Sequence, residues 1–250
     1  MFRTLTIAAA LALLPFLLPS AARAEHWMQD MPDYSAGSCN SPATTVEKFI
    51  HDCEQDIKFG KLGPEKMSMA LLSLGDGLRL LGQYDDALNV YQKSVDVNPR
   101  NTIARFRHGE LLEDTGRYEL ALADFDALLD QDRTDDVTFA ERCWLKALMG
   151  GTQLPSAVAD CDAAIAKTPN SANRLDSRAF VYFRLGNYPA AIKDADAALA
   201  INPKLANSLY VRGLAKRKSG DAAGGQADID LALTLKPTIV DTYAGYGVTR

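Results

Sequence analysis

Histidine, tryptophan and cysteine are scarce in this chain, at three, two and four among 250 residues. His26, His51 and His108 fall in no ligand-spaced pair, whereas a structural zinc site wants about four nitrogen or sulfur ligands. No C-x-x-C is present, which removes the common dithiol redox motif. A glycine-rich phosphate loop, G-x-S-x-G and H-E-x-x-H are missing too. The acidic run "DQDRTDD" at 130–136 lacks the D-x-D-x-D-G spacing of a calcium loop and reads as a solvated turn. No catalytic residue, metal ligand or cofactor is therefore assigned, and the chain reads as a non-enzyme.

Long apolar runs are confined to the start. Residues 1–24, MFRTLTIAAALALLPFLLPSAARA, carry an early arginine, an apolar stretch from Leu5 to Leu18 and small residues at Ala22 and Ala24. This is the pattern of a cleavable signal peptide, and no later stretch approaches the roughly 20 apolar residues of a membrane span. No cysteine follows the expected cleavage point before Glu25, so lipid attachment there has no thiol to use. A periplasmic or secreted location is expected. Removing Arg3 and Arg23 leaves 25 basic against 32 acidic residues, a charge of −7. Neutralising phosphates takes a basic face, so nucleic acid is not an expected partner.

What the chain has in abundance is self-similarity. "LGQYDDALNVYQ" at 81, "TGRYELALADFD" at 115, "GTQLPSAVADCD" at 151, "LGNYPAAIKDAD" at 185 and "SGDAAGGQADID" at 219 start 34, 36, 34 and 34 residues apart. A second set of blocks begins at 68, 102, 136, 172 and 206. The third unit keeps its first block in register and has its second block two residues late, so an insertion lies between Lys146 and Gly151, in a turn. Both blocks have helical periodicity, as in Leu71, Leu74, Leu78 and Leu81. Pro99, Pro169, Pro203 and Pro237 end four of the pairs, with Arg133 in the second unit's place. Each unit predicts a hairpin of helices A and B that buries its apolar faces by stacking on its neighbours.

The column Gly75, Gly109, Cys143, Ala179, Gly213 at unit position 8, the column Ala87, Ala121, Ala157, Ala191, Gly225 at position 20, and the closing prolines resemble the tetratricopeptide repeat. The resemblance covers residues 68–239 and implies an all-α, right-handed solenoid of about five hairpins: 68–101, 102–135, 136–171, 172–205 and 206–239. An N-terminal arm (25–42) and a leading helix with its linker (43–67) precede it, and residues 240–250 predict a short capping helix. Arg105 at position 4, Arg133, and the glycine- and alanine-rich last unit depart from the family pattern.

In that register Cys143 holds position 8 and Cys161 position 24, which face each other across a hairpin in this family. A disulfide between them is expected, since paired cysteines are the rule in exported chains, and exported proteobacterial repeat proteins often resemble this unit, with a cysteine in each helix of one hairpin. Cys39 and Cys53 then pair by elimination; three pairings are open to four cysteines, and two reduced core cysteines are the rival reading.

The resemblance also implies a concave groove lined by helix A at positions 2, 5, 6, 9, 12 and 13. Units 1 and 2 offer Asp76, Arg79, Phe106, Arg107, Glu110, Glu113 and Asp114 there. Units 3 to 5 offer Trp144, Phe180, Phe183, Arg184, Tyr210, Leu214, Arg217 and Lys218. Aromatics interleaved with cations are the composition of an interaction hot spot and suit an acidic or carboxylate-bearing peptide. Packing between units is the competing reading of the same aromatics. Asn173 and Asn207 at position 2 either hold a peptide backbone or cap helix A, and His108 at position 7 reads as a packed core histidine. The lysine and asparagine columns of the carboxylate clamp are missing. The expectation is a non-catalytic scaffold with a protein or peptide partner, serving envelope assembly, cell-wall synthesis or secretion; the alternative is a carrier for unfolded or lipid-bearing export clients.

Overall fold

The computed structural model describes Cys39 and residues 46–248. The expected signal peptide, and the arm apart from Cys39, lie outside the described residues. Helix α1 (Val46–Phe59) leads, followed by five hairpins: α2 (Pro64–Leu80) with α3 (Tyr84–Val97), α4 (Thr102–Asp114) with α5 (Tyr118–Gln131), α6 (Asp136–Met149) with α7 (Leu154–Lys167), α8 (Ala172–Arg184) with α9 (Tyr188–Ile201), and α10 (Ala206–Lys218) with α11 (Ala222–Leu235). Helix α12 (Ile239–Gly245) follows. Among the described residues there is no strand, and no helix is long and apolar enough to cross a membrane.

Each hairpin turns at a glycine with positive φ, 74° at Gly82 and 76° at Gly116 and Gly186, a backbone region that penalises a Cβ. In four of the five hairpins the amide three residues past helix A then bonds back to it, as Gln83 N–H does to the Leu78 carbonyl at 2.9 Å. The insertion in the third unit is accommodated at this turn. Helix α6 runs to Met149, one residue longer than α4 or α8, and Gly151–Gln153 adds a 3-10 turn.

Within a hairpin, helix A is kept small where helix B is bulky. A Cβ on Gly75 would strike the Tyr91 ring, one on Gly109 would lie 2.9 Å from Phe125 Cε1, and one on Gly213 would lie 2.8 Å from Ile229 Cγ1. The third hairpin answers the same close approach with Cys143 and Cys161, whose α-carbons stand 5.3 Å apart and whose sulfurs are bonded.

Helix α1 lies on α2, with Ile50 and Phe49 against Gly77. Beneath it Cys39, Cys53, Ala70 and Leu74 form a dry cluster. Here the structure departs from expectation: Cys39 and Cys53 are neighbours but free thiols. A hydrogen bond to Cys39, reinforced by burial, raises the Cys53 thiol far above its ordinary range, so Cys53 stays protonated in this core contact.

Candidate interaction groove

A row of arginines ties the last three hairpins together. Arg142, Arg178 and Arg212 each hold unit position 7 and grip the aspartate at position 23 of their own helix B with two nitrogens: Asp160 at 3.0 and 2.6 Å, Asp194 at 2.7 and 2.9 Å, Asp228 at 2.8 and 2.6 Å. The remaining nitrogen of each reaches helix B of the preceding unit, at Asp126, Asp162 and Asp196, always at 2.7 Å. One planar guanidinium thus joins three helices, a task suited to its fixed fork of donors. His108 occupies the same position in the second unit, with Nδ1 2.6 Å from Asp124. It is a positioning histidine in an arginine's place. In the first unit the position is Leu74, buried under α1.

The groove residues divide sharply. In units 1 and 2 the charges satisfy one another: Arg79 bonds Asp114 at 2.8 Å, Arg107 bonds Glu110 at 3.0 Å, and the Tyr91 hydroxyl donates to Asp76 at 2.6 Å. Burial raises the Asp76 carboxyl, against the hydroxyl that lowers it. Phe106 turns back onto Phe125 of its own hairpin, 5.9 Å between ring centres.

In units 3 to 5 the aromatics of three successive A helices are brought onto one wall, and α12 lies on it. Tyr243 meets Phe180 edge-on at 5.2 Å and Tyr210 at 4.9 Å. Tyr246 meets Trp144 edge-on at 5.5 Å and Phe180 at 6.2 Å. Phe180 and Tyr210 are fully buried, while Trp144, Phe183 and Tyr246 keep part of their surface. Leu214 is buried as well. Phe183 packs on Tyr188 at 5.9 Å. Arg184 is committed elsewhere: it donates to the Ala147 and Leu148 carbonyls at 2.6 and 2.9 Å, closing the end of the lengthened α6. Arg217 and Lys218 are exposed at the end of α10.

Asn173 and Asn207 do not cap their helices. Ser171 accepts from the Arg174 amide at the start of α8, and Leu205 stands at the start of α10. Asp176 is a further group the sequence left unmarked. It is buried, accepts from the Ser208 hydroxyl at 2.5 Å, and burial lifts its pKa from 3.8 to about 6. Burial likewise raises the Tyr243 hydroxyl, with Asp176 adding to it. The arginine clamp was open to detection as a column of arginine and two columns of aspartate at the repeat period. The docking of α12 had no such signal.

Sequence models of the tetratricopeptide repeat match residues 72–136 and 172–205. Those two segments are tetratricopeptide repeats. A comparison with curated proteins finds no match. Among solved structures, a tetratricopeptide repeat protein from Parabacteroides merdae is similar at a TM-score of 0.67 and 18% identity, covering 80% of this chain and 81% of the other. YrrB, described as a tetratricopeptide repeat protein with an unusual peptide-binding site, has a TM-score of 0.56 at 14% identity, over 82% and 98% of the two chains. PilW, a type IV pilus biogenesis factor, has a TM-score of 0.61 at 14% identity, over 67% and 77%. At these identities the likeness is one of fold. Tetratricopeptide repeats in general support a protein-interaction scaffold.

Proposed function

We propose that this protein is an exported, non-catalytic scaffold that holds a partner protein or peptide along the face formed by α4, α6, α8 and α10. One observation carries the reading: the aromatic wall of Trp144, Phe180 and Tyr210 receives a short helix, so its shape and chemistry suit a peptide of that size. Exposed apolar residues at unit position 2 extend the face beyond α12, with Ile103 45% and Val137 47% exposed. Arg217 and Lys218 favour a partner that carries carboxylates. The groove residues for which the proposal stands are Phe106, Arg107, Trp144, Phe183, Arg217 and Lys218, with Phe180 and Tyr210 as the buried floor and Arg184 as its support.

Export is supported by the leader pattern and by the Cys143–Cys161 bond. Peptide mapping of the protein isolated from the envelope without reduction should find Cys143 joined to Cys161, and free thiols at both would count against export.

The partner is tested by crosslinking in the native envelope. Val137→Ser with Arg217→Glu and Lys218→Glu leaves the buried packing untouched and should abolish the crosslinked species. Unchanged capture sinks the groove reading. Comparable binding of many unrelated unfolded chains would point to a carrier instead.

A further inference from the structure

The groove's present occupant is the chain's own last helix, and it fits its seat imperfectly. Helix α12 has seven residues, far fewer than a helix needs to persist alone in water. Its seat supplies the stability. Tyr243 and Tyr246, three apart and so on one helical face, set their rings on residues from three successive repeats: Trp144 of α6, Phe180 of α8 and Tyr210 of α10. The hydroxyls of Tyr243 and Tyr210, however, are buried without a hydrogen-bond partner. A stranded hydroxyl weakens an otherwise apolar contact. A ring without one would sit better in the Tyr243 position.

We propose that this wall is the docking surface for a short helix of a partner protein that presents two aromatic residues three positions apart, the leading one phenylalanine, and that α12 is a placeholder which such a helix displaces. The inference rests on the groove reading above and adds to it the class of ligand and the event that opens the site. The placeholder is tethered, so its effective concentration is on the order of millimolar. A competitor must outbind it by better chemistry at the same seat. Removing the stranded hydroxyl supplies that advantage, and Tyr246, still partly exposed over Trp144, is the edge at which displacement begins.

The test uses the full chain and two labelled peptides spanning residues 236–248, one of native sequence and one carrying Tyr243→Phe. Both are titrated into the wild-type chain and into Tyr243→Ala with Tyr246→Ala. The substituted chain, its wall vacated, should bind the phenylalanine peptide at least tenfold more tightly than the wild-type chain does. The phenylalanine peptide should bind about tenfold more tightly than the native one, as expected for relief of one buried unpaired hydroxyl. Saturating wild-type chain with the phenylalanine peptide should speed hydrogen exchange at residues 239–248 and leave α8 protected. Equal affinity of the two chains for both peptides overturns the inference. Should the double substitution unfold the protein, Tyr246→Ala alone is titrated: a severalfold gain in affinity supports the inference and no gain overturns it. Envelope crosslinking that persists when neither peptide binds either chain removes this inference and leaves the scaffold reading intact.

Discussion

The first two hairpins and the last three share a period but are held together differently. In α2–α5 the groove side is a web of mutually satisfied charges, and the hairpins interlock through glycines against Tyr91 and Phe125. In α6–α11 the same columns carry aromatics that converge on one wall, while arginine clamps and one disulfide fix the hairpins. Helix α4 and helix α6 barely meet, whereas α6, α8 and α10 pack in sequence. A repeat array whose neighbour contacts differ along its length has local stabilities that differ too. The contrast teaches that one backbone period accommodates two strategies, a polar lining that satisfies itself and an apolar lining that demands a cover.

The largest effect expected is from Phe180→Ala, at the centre of the wall. Losing a fully buried ring should cost about 3–5 kcal/mol, and hydrogen exchange should rise across α8–α12 while α2–α5 keep their protection. Equal loosening of both regions would break the distinction. The same burial means that replacing Trp144, Phe180 and Tyr210 together does not separate binding from stability. Next is the staple. Cys143→Ser with Cys161→Ser should lower stability by about 3 kcal/mol for a loop of this length, again within the last three units, read by denaturant unfolding with local probes.

Asp176→Asn should act in the opposite direction. The folded carboxyl binds its proton more tightly than the unfolded one, at about 6 against 3.8. The Asp176 contribution to stability is therefore full below pH 3.8, is lost as pH rises towards about 6, and stays absent above it. The substitution should flatten that slope and raise stability at pH 7 by roughly 2 kcal/mol, allowing for a weaker bond from Ser208. An unchanged slope would remove Asp176 as its source. A smaller effect is expected from Arg178→Ala, about 1–2 kcal/mol because the guanidinium is partly solvated. His108→Ala, which removes a single contact from a comparable site, should cost less, and a larger loss there would show that the first region depends on its clamp more than the last.

Most of the architecture was legible before any coordinates. The glycine and alanine columns, the closing prolines and the two-residue delay around Lys146 to Gly151 mark hairpins, because a repeat's demands on its own chain are local and recur at fixed offsets. Cys143 and Cys161 were readable for the same reason. The role of Arg184 in closing α6 was not legible because its partners are the carbonyls of Ala147 and Leu148, and backbone acceptors leave no mark in the sequence. Asn173 and Asn207 failed as caps because their helices begin two residues earlier than a capping role requires.

The sequence by itself determined the period, the helix hairpins, the facing cysteines and the aromatic content of the last three units, since each follows from short-range spacing. Only the tertiary structure decided that Tyr243 and Tyr246 lie on that aromatic wall, that Cys39 and Cys53 meet as thiols, and that Arg184 closes the end of α6. Those contacts join residues from different repeats or from outside the array, where no periodicity constrains them. The burial of apolar surface then selects the partner, and it does so without regard to distance along the chain.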